Sequence, residues 1–198
     1  MAMYDWNGTT SSELGKAYDW DGTTSHQLGK GYDWDGTTNN LIYSAETLLY
    51  NRGTGYEGFA PTNVSNSCSS TVSAGPSSIT MWTGNSYGNA KGSVCVSFGL
   101  FDLSVIDTIT VIAKTVDNVN LTMTVMSDLT TQYGGNNSRN FKSVVKSVGV
   151  SRTNSEQTVT IDVSDLTGSY YIGCQTLSQY YQSGNPTGNS YVYYVLLT

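Results

Sequence analysis

The sequence predicts an all-β protein in which a stem of short hairpin repeats precedes a jelly-roll-like antiparallel β-sandwich. A 14-residue repeat fills the first 45 positions, and short segments of alternating apolar and polar residues follow from position 78. Only 12% of the 198 residues are charged, while Tyr, Thr, Ser, Asn and Gly are frequent. This composition is typical of strands and turns rather than of helices.

The repeat begins at Tyr4 and recurs at Tyr18 and Tyr32, each time as Tyr-Asp-Trp-(Asn/Asp)-Gly-Thr-Thr. Its Asn-Gly or Asp-Gly pair is the preferred centre of a two-residue type I′ turn, so each copy predicts one hairpin. A unit this short cannot bury a core of its own. We therefore predict that residues 1–45 form an oligomeric stem, closed by rows of Tyr, Trp and Leu from three chains. The alternative is a flexible tether.

Residues 46–77 are predicted to be a junction, and residues 78–198 a β-sandwich domain. Residues 41–50 have apolar spacing compatible with a short helix or a first strand. The stretch 51–76 is rich in Gly, Ser and Asn and predicts irregular structure, with one strand near 70–72. Alternation and turn residues predict eight strands in the sandwich, at 78–82, 93–98, 108–115, 120–126, 141–150, 157–163, 170–177 and 191–197.

Two segments of the sandwich region share a strand-turn-strand pattern. One runs from Phe101-Asp102-Leu103-Ser104 into residues 107–111, and the other spans residues 160–173. Both resemble segments of the jelly rolls of carbohydrate-binding modules. The resemblance implies a fold and does not by itself identify a ligand.

The tandem repeats resemble those in tail-fibre or head-fibre proteins of phages and prophages from Gram-positive bacteria, in which a repetitive stem leads to a globular β domain. The resemblance covers residues 4–45 and implies a structural protein of the virion, made in the bacterial cytoplasm without a signal peptide. Its implied partners are two further copies in a homotrimer, other virion proteins, and host cell-surface or gut glycans. A secreted bacterial carbohydrate-binding module and a polysaccharide depolymerase are the alternative functions.

Charge and hydropathy argue against two classes of partner. The net charge is −6 and no cluster of Lys and Arg is present, which argues against nucleic acid. The longest apolar run, residues 191–197, is too short to span a membrane. The first residues also lack the basic and apolar regions of a signal peptide, and we expect none.

Catalysis and metal binding have little support in the sequence. His26 is the only histidine, and Ser12 and Asn40 occupy its position in the other repeats. A Ser-His-Asp or Cys-His relay would therefore lack its base, and we predict no enzyme and no catalytic residues. The Asp-Trp-Asp-Gly segments lack the downstream Glu of a calcium loop, so we expect no metal and no cofactor. Cys95 and Cys174, inside predicted strands, are interpreted as small buried thiols.

Saccharide binding is the best-motivated chemistry. Sugars stack their apolar faces on aromatic rings and hydrogen-bond through their hydroxyl groups to polar side chains. Three predicted loops, at residues 82–89, 132–139 and 179–186, combine exposed aromatic residues with Asn, Gln, Ser and Gly, the composition of adaptable recognition surfaces. The predicted ligand-binding residues are Trp82, Tyr87, Tyr133, Asn136, Tyr180, Tyr181 and Asn185. The alternatives are that these loops bind a protein ligand instead of a sugar, or that their rings only pack the ends of hairpins.

Overall fold

The structure is a computed structural model of the chain, and it divides into two units, Met1–Thr47 and Leu48–Leu197. For the first unit, the description is of the strands and their backbone pairing alone. The structure describes residues 3–6, 11–14, 18–20, 25–27, 30–34, 39–44, 47–52, 54–55, 62–68, 70–84, 92–116, 119–134, 138–178 and 188–198.

The first unit contains antiparallel hairpins, one for each copy of the repeat, as the sequence predicts. The pairs are β1 (Met3–Trp6) with β2 (Ser11–Leu14), β3 (Tyr18–Trp20) with β4 (Ser25–Gln27), and β5 (Lys30–Trp34) with β6 (Asn39–Ser44). The predicted two-residue turn is wrong, because Trp20 pairs with Ser25 and four residues separate them. The conformation of these connections lies outside the described residues.

The second unit is built from strands that pair in antiparallel fashion. Their bounds are β7 Thr47–Asn51, β8 Thr54–Gly55, β9 Thr62–Ser67, β10 Thr71–Ala74, β11 Ile79–Thr83, β12 Ser93–Asp102, β13 Thr108–Thr115, β14 Val119–Met126, β15 Thr131–Tyr133, β16 Arg139–Phe141, β17 Val144–Val150, β18 Gln157–Asp162, β19 Ser169–Ser178 and β20 Gly188–Leu197. Within the described part of the chain the secondary structure is all β, as the sequence predicts.

These strands form a jelly-roll-like sandwich of two sheets. Sheet 1 has the order β10-β11-β20-β13-β18, with β7 pairing with β20 and β8 with β7. Sheet 2 has the order β17-β14-β19-β12-β9. Apart from β7–β8 and β10–β11, neighbours within these two sheets are not consecutive in sequence, because the chain crosses repeatedly between the sheets, as it does from β12 to β13 to β14. A separate hairpin, β15–β16, completes the unit.

The core lies between the two sheets and follows the alternation of the strands. In β13, every second residue is buried, and in β14 the buried residues that join the core also alternate. These side chains meet in one apolar cluster because each sheet turns one face toward the other. Central members of the cluster are Ile109, Val111, Ala113, Leu121, Met123 and Val125.

The two segments that resemble carbohydrate-binding modules form equivalent turns, one between β12 and β13 and the other between β18 and β19. In the first, the Ser104 N–H donates to Asp102 Oδ1 at 2.9 Å. In the second, the Ser164 N–H donates to Asp162 Oδ1 at 3.0 Å. An aspartate that accepts a bond from the backbone two residues later is a common device for starting a turn.

The two turns also bond reciprocally to each other through the backbone. The Leu103 N–H donates to the Gly168 carbonyl at 2.9 Å, and the Val163 N–H donates to the Asp107 carbonyl at 2.8 Å. Leu103 and Val163 are fully buried. The shared sequence pattern therefore corresponds to a pair of turns that closes one end of the sandwich.

The predicted strands are present with changed bounds. The segment predicted as one strand over 141–150 is divided, because β16 ends at Phe141 and β17 begins at Val144. Residues 46–77 contribute β7, β9 and β10 to the sheets; β10 corresponds to the strand predicted near 70–72, whereas β9 lies where the sequence predicts irregular structure. β9 escapes prediction because it is an edge strand with one apolar side chain, Val64. The division into stem, junction and sandwich domain stays a prediction that truncation can test.

Candidate ligand-binding surfaces

The outer face of sheet 1 carries a row of tyrosines from β20. Val192 and Val195 of this strand are buried in the core, three positions apart instead of two. The extra residue is a β-bulge, visible as a register shift between Ile112 and Ala113 of the neighbouring strand β13. Because a bulge places two residues opposite one, Tyr193 and Tyr194 can both lie outside the core.

Pairing with neighbouring strands identifies the other members of this surface. Tyr191 lies opposite Lys114 of β13 on one side and Thr80 of β11 on the other. Trp82 lies opposite Asn189 on the same strand pair. Residues two apart on a strand share a face, and diagonal neighbours are within reach of aromatic rings. We call Trp82, Tyr191, Tyr193 and Tyr194, all half-buried, the tyrosine face.

The rings of Tyr191 and Tyr193 are held in a stack. Their centroids are 6.1 Å apart and their planes differ by 9°. The Arg52 guanidinium lies 5.2 Å from the centroid of the Tyr193 ring, and its N–H groups donate to both carboxylate oxygens of Glu156 at 3.2 and 2.7 Å. The stack is therefore held at the Tyr193 end by the Arg52–Glu156 ion pair.

Hydrogen bonding, charge and burial shift the pKa values of Arg52, Glu156 and Tyr193. The hydrogen bond from Arg52 lowers the pKa of Glu156, and the same bond raises the pKa of Arg52. Burial, followed by the negative charge of Glu156, raises the pKa of Tyr193. The tyrosine is therefore neutral and the ion pair intact around neutral pH. Because both side chains of the pair are exposed, it contributes little to the stability of the fold.

Trp82 is positioned by a glycine. A Cβ atom built on Gly84 would fall well inside van der Waals contact with the far edge of the indole ring, at Cη2 and Cζ3. The ring therefore lies directly over the backbone of Gly84, a position that any larger residue would block. The absence of a side chain at Gly84 therefore permits this position of the Trp82 ring.

The outer face of sheet 2 is partly covered by the β15–β16 hairpin. Phe141 packs there with Cys95 and Met126 in a small apolar cluster that is separate from the core. The Phe141 N–H donates to Gln175 Oε1 at 3.1 Å. Burial raises the pKa of the Cys95 thiol to about 12. The thiol is therefore protonated, and it donates to the Arg139 carbonyl at 3.4 Å.

The tip of this hairpin presents an aromatic ring and a cation together. The Tyr133 side chain is 66% exposed, and the Arg139 guanidinium carbon lies over its ring at 3.5 Å from the centroid. The Gly134 N–H donates to the Ser138 carbonyl at 2.8 Å and closes the tip. We call this pair the Tyr133–Arg139 tip.

The predicted site residues divide between these surfaces and the undescribed segments. Trp82 and Tyr133 are described, and they lie on different sheets, so the structure does not bring them into one site. Their roles stay predictions. The other predicted ligand-binding residues lie outside the described residues and also stay predictions: Tyr87, Asn136, Tyr180, Tyr181 and Asn185.

Sequence reasoning missed Tyr191, Tyr193 and Tyr194, because it sought aromatic residues in polar loops and assigned 191–197 to a strand. A signal was nevertheless present. Tyrosines alternate with Val192 at the start of the segment, which is typical of a strand with one aromatic face. The bulge that adds the third ring leaves no comparable pattern.

The described residues show no group of three His, Cys, Asp or Glu side chains placed to hold a metal ion. Asp102, Asp128 and Asp162 each accept a hydrogen bond from a backbone N–H two residues later, which is the ordinary role of an aspartate in a turn. Cys95 and Cys174 are fully buried thiols, as predicted. No helix among the described residues is long and apolar enough to cross a membrane.

Comparison with known proteins finds no matching family model and no matching curated protein. Among solved structures, the chain is similar to a family 61 carbohydrate-binding module in complex with β-1,4-galactotriose, with 16% identity over 62% of this chain and 70% of the other and a TM-score of 0.39. It is also similar to a variant family 29 carbohydrate-binding module, with 10% identity over 78% and 92% of the two chains and a TM-score of 0.46. Another family 29 variant, complexed with cellulohexaose, gives 13% identity over 77% and 89% and a TM-score of 0.44.

Proposed function

We propose that the second unit is a non-catalytic carbohydrate-binding module whose ligand lies on the tyrosine face, between Trp82 and Tyr191. The observation that carries the proposal is the set of fixed aromatic rings on the outer face of a sheet: Tyr191 stacked on Tyr193, and Trp82 laid over Gly84. Aromatic side chains provide a large rigid contact area at low entropic cost.

Polar groups around the rings match the needs of a sugar. A pyranose places its C–H groups on the ring face and its hydroxyl groups around the rim. Asn189, Thr80 and Lys114 lie opposite or beside Trp82 and Tyr191 in the strand register, where an amide, a hydroxyl and an ammonium reach the ligand's rim. Both donors and acceptors are therefore available, as hydroxyl recognition requires.

The test is a pair of substitutions at Tyr191 that distinguishes the contribution of its ring to binding from that of its hydroxyl group. The full chain is screened on an array of neutral β-1,4-linked oligosaccharides, and the best ligand is titrated calorimetrically. Tyr191→Ala is expected to weaken binding by about tenfold or more, since aromatic anchors at the centre of an interface commonly contribute over about 1.4 kcal/mol. Tyr191→Phe retains the ring and is expected to bind within about threefold of the wild type.

Two controls make the result decisive. Gly84→Ala displaces the Trp82 ring without touching Tyr191 and is expected to weaken binding as well. Tyr133→Ala, on the β15–β16 hairpin, is expected to leave binding unchanged. No binding across the array, or equal binding by Tyr191→Ala and wild type with matched melting temperatures, contradicts the proposal. Release of reducing sugar from a bound polysaccharide would instead indicate a depolymerase.

A second candidate function is the virion fibre, favoured by the three in-register hairpins of the first unit. Two-stranded hairpins this short are marginal alone, so association between chains is the natural way to stabilise them. We expect light scattering on the full chain to give three times the 21.3 kDa monomer mass. A monomer at micromolar concentration would remove the support for a trimeric stem. The two functions are compatible, because a fibre can end in a glycan-binding domain.

A further inference from the structure

We propose that the Tyr133–Arg139 tip is a second binding site, specific for the carboxylate of an acidic saccharide such as a uronic acid. It lies on the hairpin that covers sheet 2, whereas the tyrosine face belongs to sheet 1. The inference therefore does not rest on the proposed function of the tyrosine face. Its observations are an exposed ring, a guanidinium in contact with that ring, and a hairpin that holds both in place.

The hairpin is fixed to sheet 2 by hydrogen bonds to side chains of two different strands. The Arg139 N–H donates to Ser93 Oγ at 2.7 Å, and the Arg139 carbonyl accepts the bond from the Cys95 thiol. On β19, Gln175 accepts the bond from Phe141. Backbone bonds on both sides of Arg139 fix the point from which its side chain extends. A site built on so firmly attached an element is pre-organised, which lowers the entropic cost of binding.

The geometry of the pair leaves the guanidinium able to bind an anion. At 3.5 Å from the centroid of Tyr133, the planar group fits only roughly parallel to the ring. Its N–H donors are then directed sideways, past the rim of the ring, instead of into it. A carboxylate lying in the same plane accepts two of these bonds at once, which is the arrangement that a lysine cannot reproduce.

No acidic side chain among the described residues forms an ion pair with Arg139. The ion pairs in that part of the chain join Arg52 to Glu156 and Lys146 to Asp165. The chain as a whole carries a net charge of −6. General electrostatic attraction for polyanions is therefore weak, and an acidic ligand must gain its affinity from a local site.

The exposed Tyr133 ring favours a sugar acid over a simple anion. The exposed part of Tyr133 offers an apolar surface to a pyranose ring beside the bound carboxylate. The side chains of Gln132 and Asn140 alternate with those of Tyr133 and Arg139 along the two strands, so they lie on the opposite face of the hairpin and do not line the site.

The test uses two probes, oligogalacturonate and its methyl ester, which lacks the negative charges, titrated into the full chain. We expect the free acid to bind at least tenfold more tightly than the ester. Arg139→Lys keeps the charge but loses the paired donors, and it is expected to lower affinity for the acid by tenfold or more. Tyr133→Ala should lower it similarly, while Tyr191→Ala should not change it.

Equal affinity for acid and ester, or full binding by Arg139→Lys, would overturn the proposal. Competition by dextran sulfate as strong as that by oligogalacturonate would also overturn it, because the site would then bind any anion. If the variants do not fold, the side-chain Nε–H resonance of Arg139 in the wild-type protein decides the matter. It must shift on addition of the acid and remain unchanged with the ester.

Discussion

Two glycines of sheet 2 show how one backbone position can determine stability. A Cβ atom built on Gly173 of β19 would fall well inside contact with the Val96 carbonyl oxygen of the adjacent strand. That oxygen belongs to the backbone and cannot move aside without disturbing the pairing of β12 with β19. On β17 of the same sheet, a Cβ atom built on Gly149 meets nothing within 4 Å.

We predict that Gly173→Ala lowers the free energy of unfolding by about 2 kcal/mol, as overpacking in a well-packed region commonly does. Gly149→Ala is expected to be neutral or slightly stabilising, because alanine reduces the entropy of the unfolded chain. Urea unfolding of both variants measures the difference. Similar stabilities for the two variants would contradict the close approach of β12 and β19 at Gly173.

Single residues also show which features of the structure can be predicted from the sequence and which cannot. The alternation of Val94 and Val96 predicts β12, and both residues are buried as expected. The alternation of Tyr191 and Tyr193 with Val192 is visible in the sequence, but the rest of the tyrosine face depends on which strands flank β20 and on a bulge that only the register reveals. Contacts such as that between Arg52 and Glu156 join positions 104 apart, and no local pattern encodes them.

Among the elements, the β15–β16 hairpin depends on the connection at its base. The Ser127 N–H donates to the Ser143 carbonyl at 3.1 Å, and Ser143 Oγ donates to Asp128 Oδ2 at 2.6 Å. Asp128 also accepts bonds from the backbone and hydroxyl of Thr130. The bond from Ser143, with those from Thr130, lowers the pKa of Asp128.

This lowered pKa predicts a pH-dependent stability. A carboxylate whose pKa is lower in the folded state stabilises the protein above its unfolded pKa of about 3.9, and the contribution is lost as pH falls through the folded value. Ser143→Ala should therefore raise the pKa of Asp128 and reduce stability at pH 6. At pH 2 the variant and the wild type should differ less. Side-chain carboxyl NMR titration and urea unfolding at both pH values measure the two effects. An unchanged pKa of Asp128 in the variant would show that Ser143 does not set it.

At the scale of the whole molecule, the domain boundary determines which fragments fold. Leu49 and Tyr50 of β7 are buried in the core cluster, while β9 and β10 are strands of the two sheets. All three precede residue 78, where alternation first makes the sandwich evident in the sequence. The sequence predicts the class of fold well because central strands alternate, but short edge strands carry too few apolar residues to be recognised.

We predict that residues 48–198 unfold cooperatively on heating, whereas residues 78–198 do not. The shorter fragment exposes core residues that β7 covers and leaves edges of both sheets unpaired. Calorimetry on both fragments tests the boundary. A cooperative transition in the shorter fragment, with a melting temperature close to that of the longer one, would place the boundary at residue 78 instead.

The most direct test of the central claim is to observe the rings of the tyrosine face while a glycan binds. Full-length protein with carbon-13-labelled tyrosine rings is titrated with the neutral oligosaccharide that binds best on the array, and the ring resonances are followed by NMR. We predict that Tyr191 and Tyr193 shift in a saturable manner, with the same dissociation constant as calorimetry, while Tyr133 does not. Binding that leaves Tyr191 and Tyr193 unshifted would contradict the assignment of the glycan site to sheet 1.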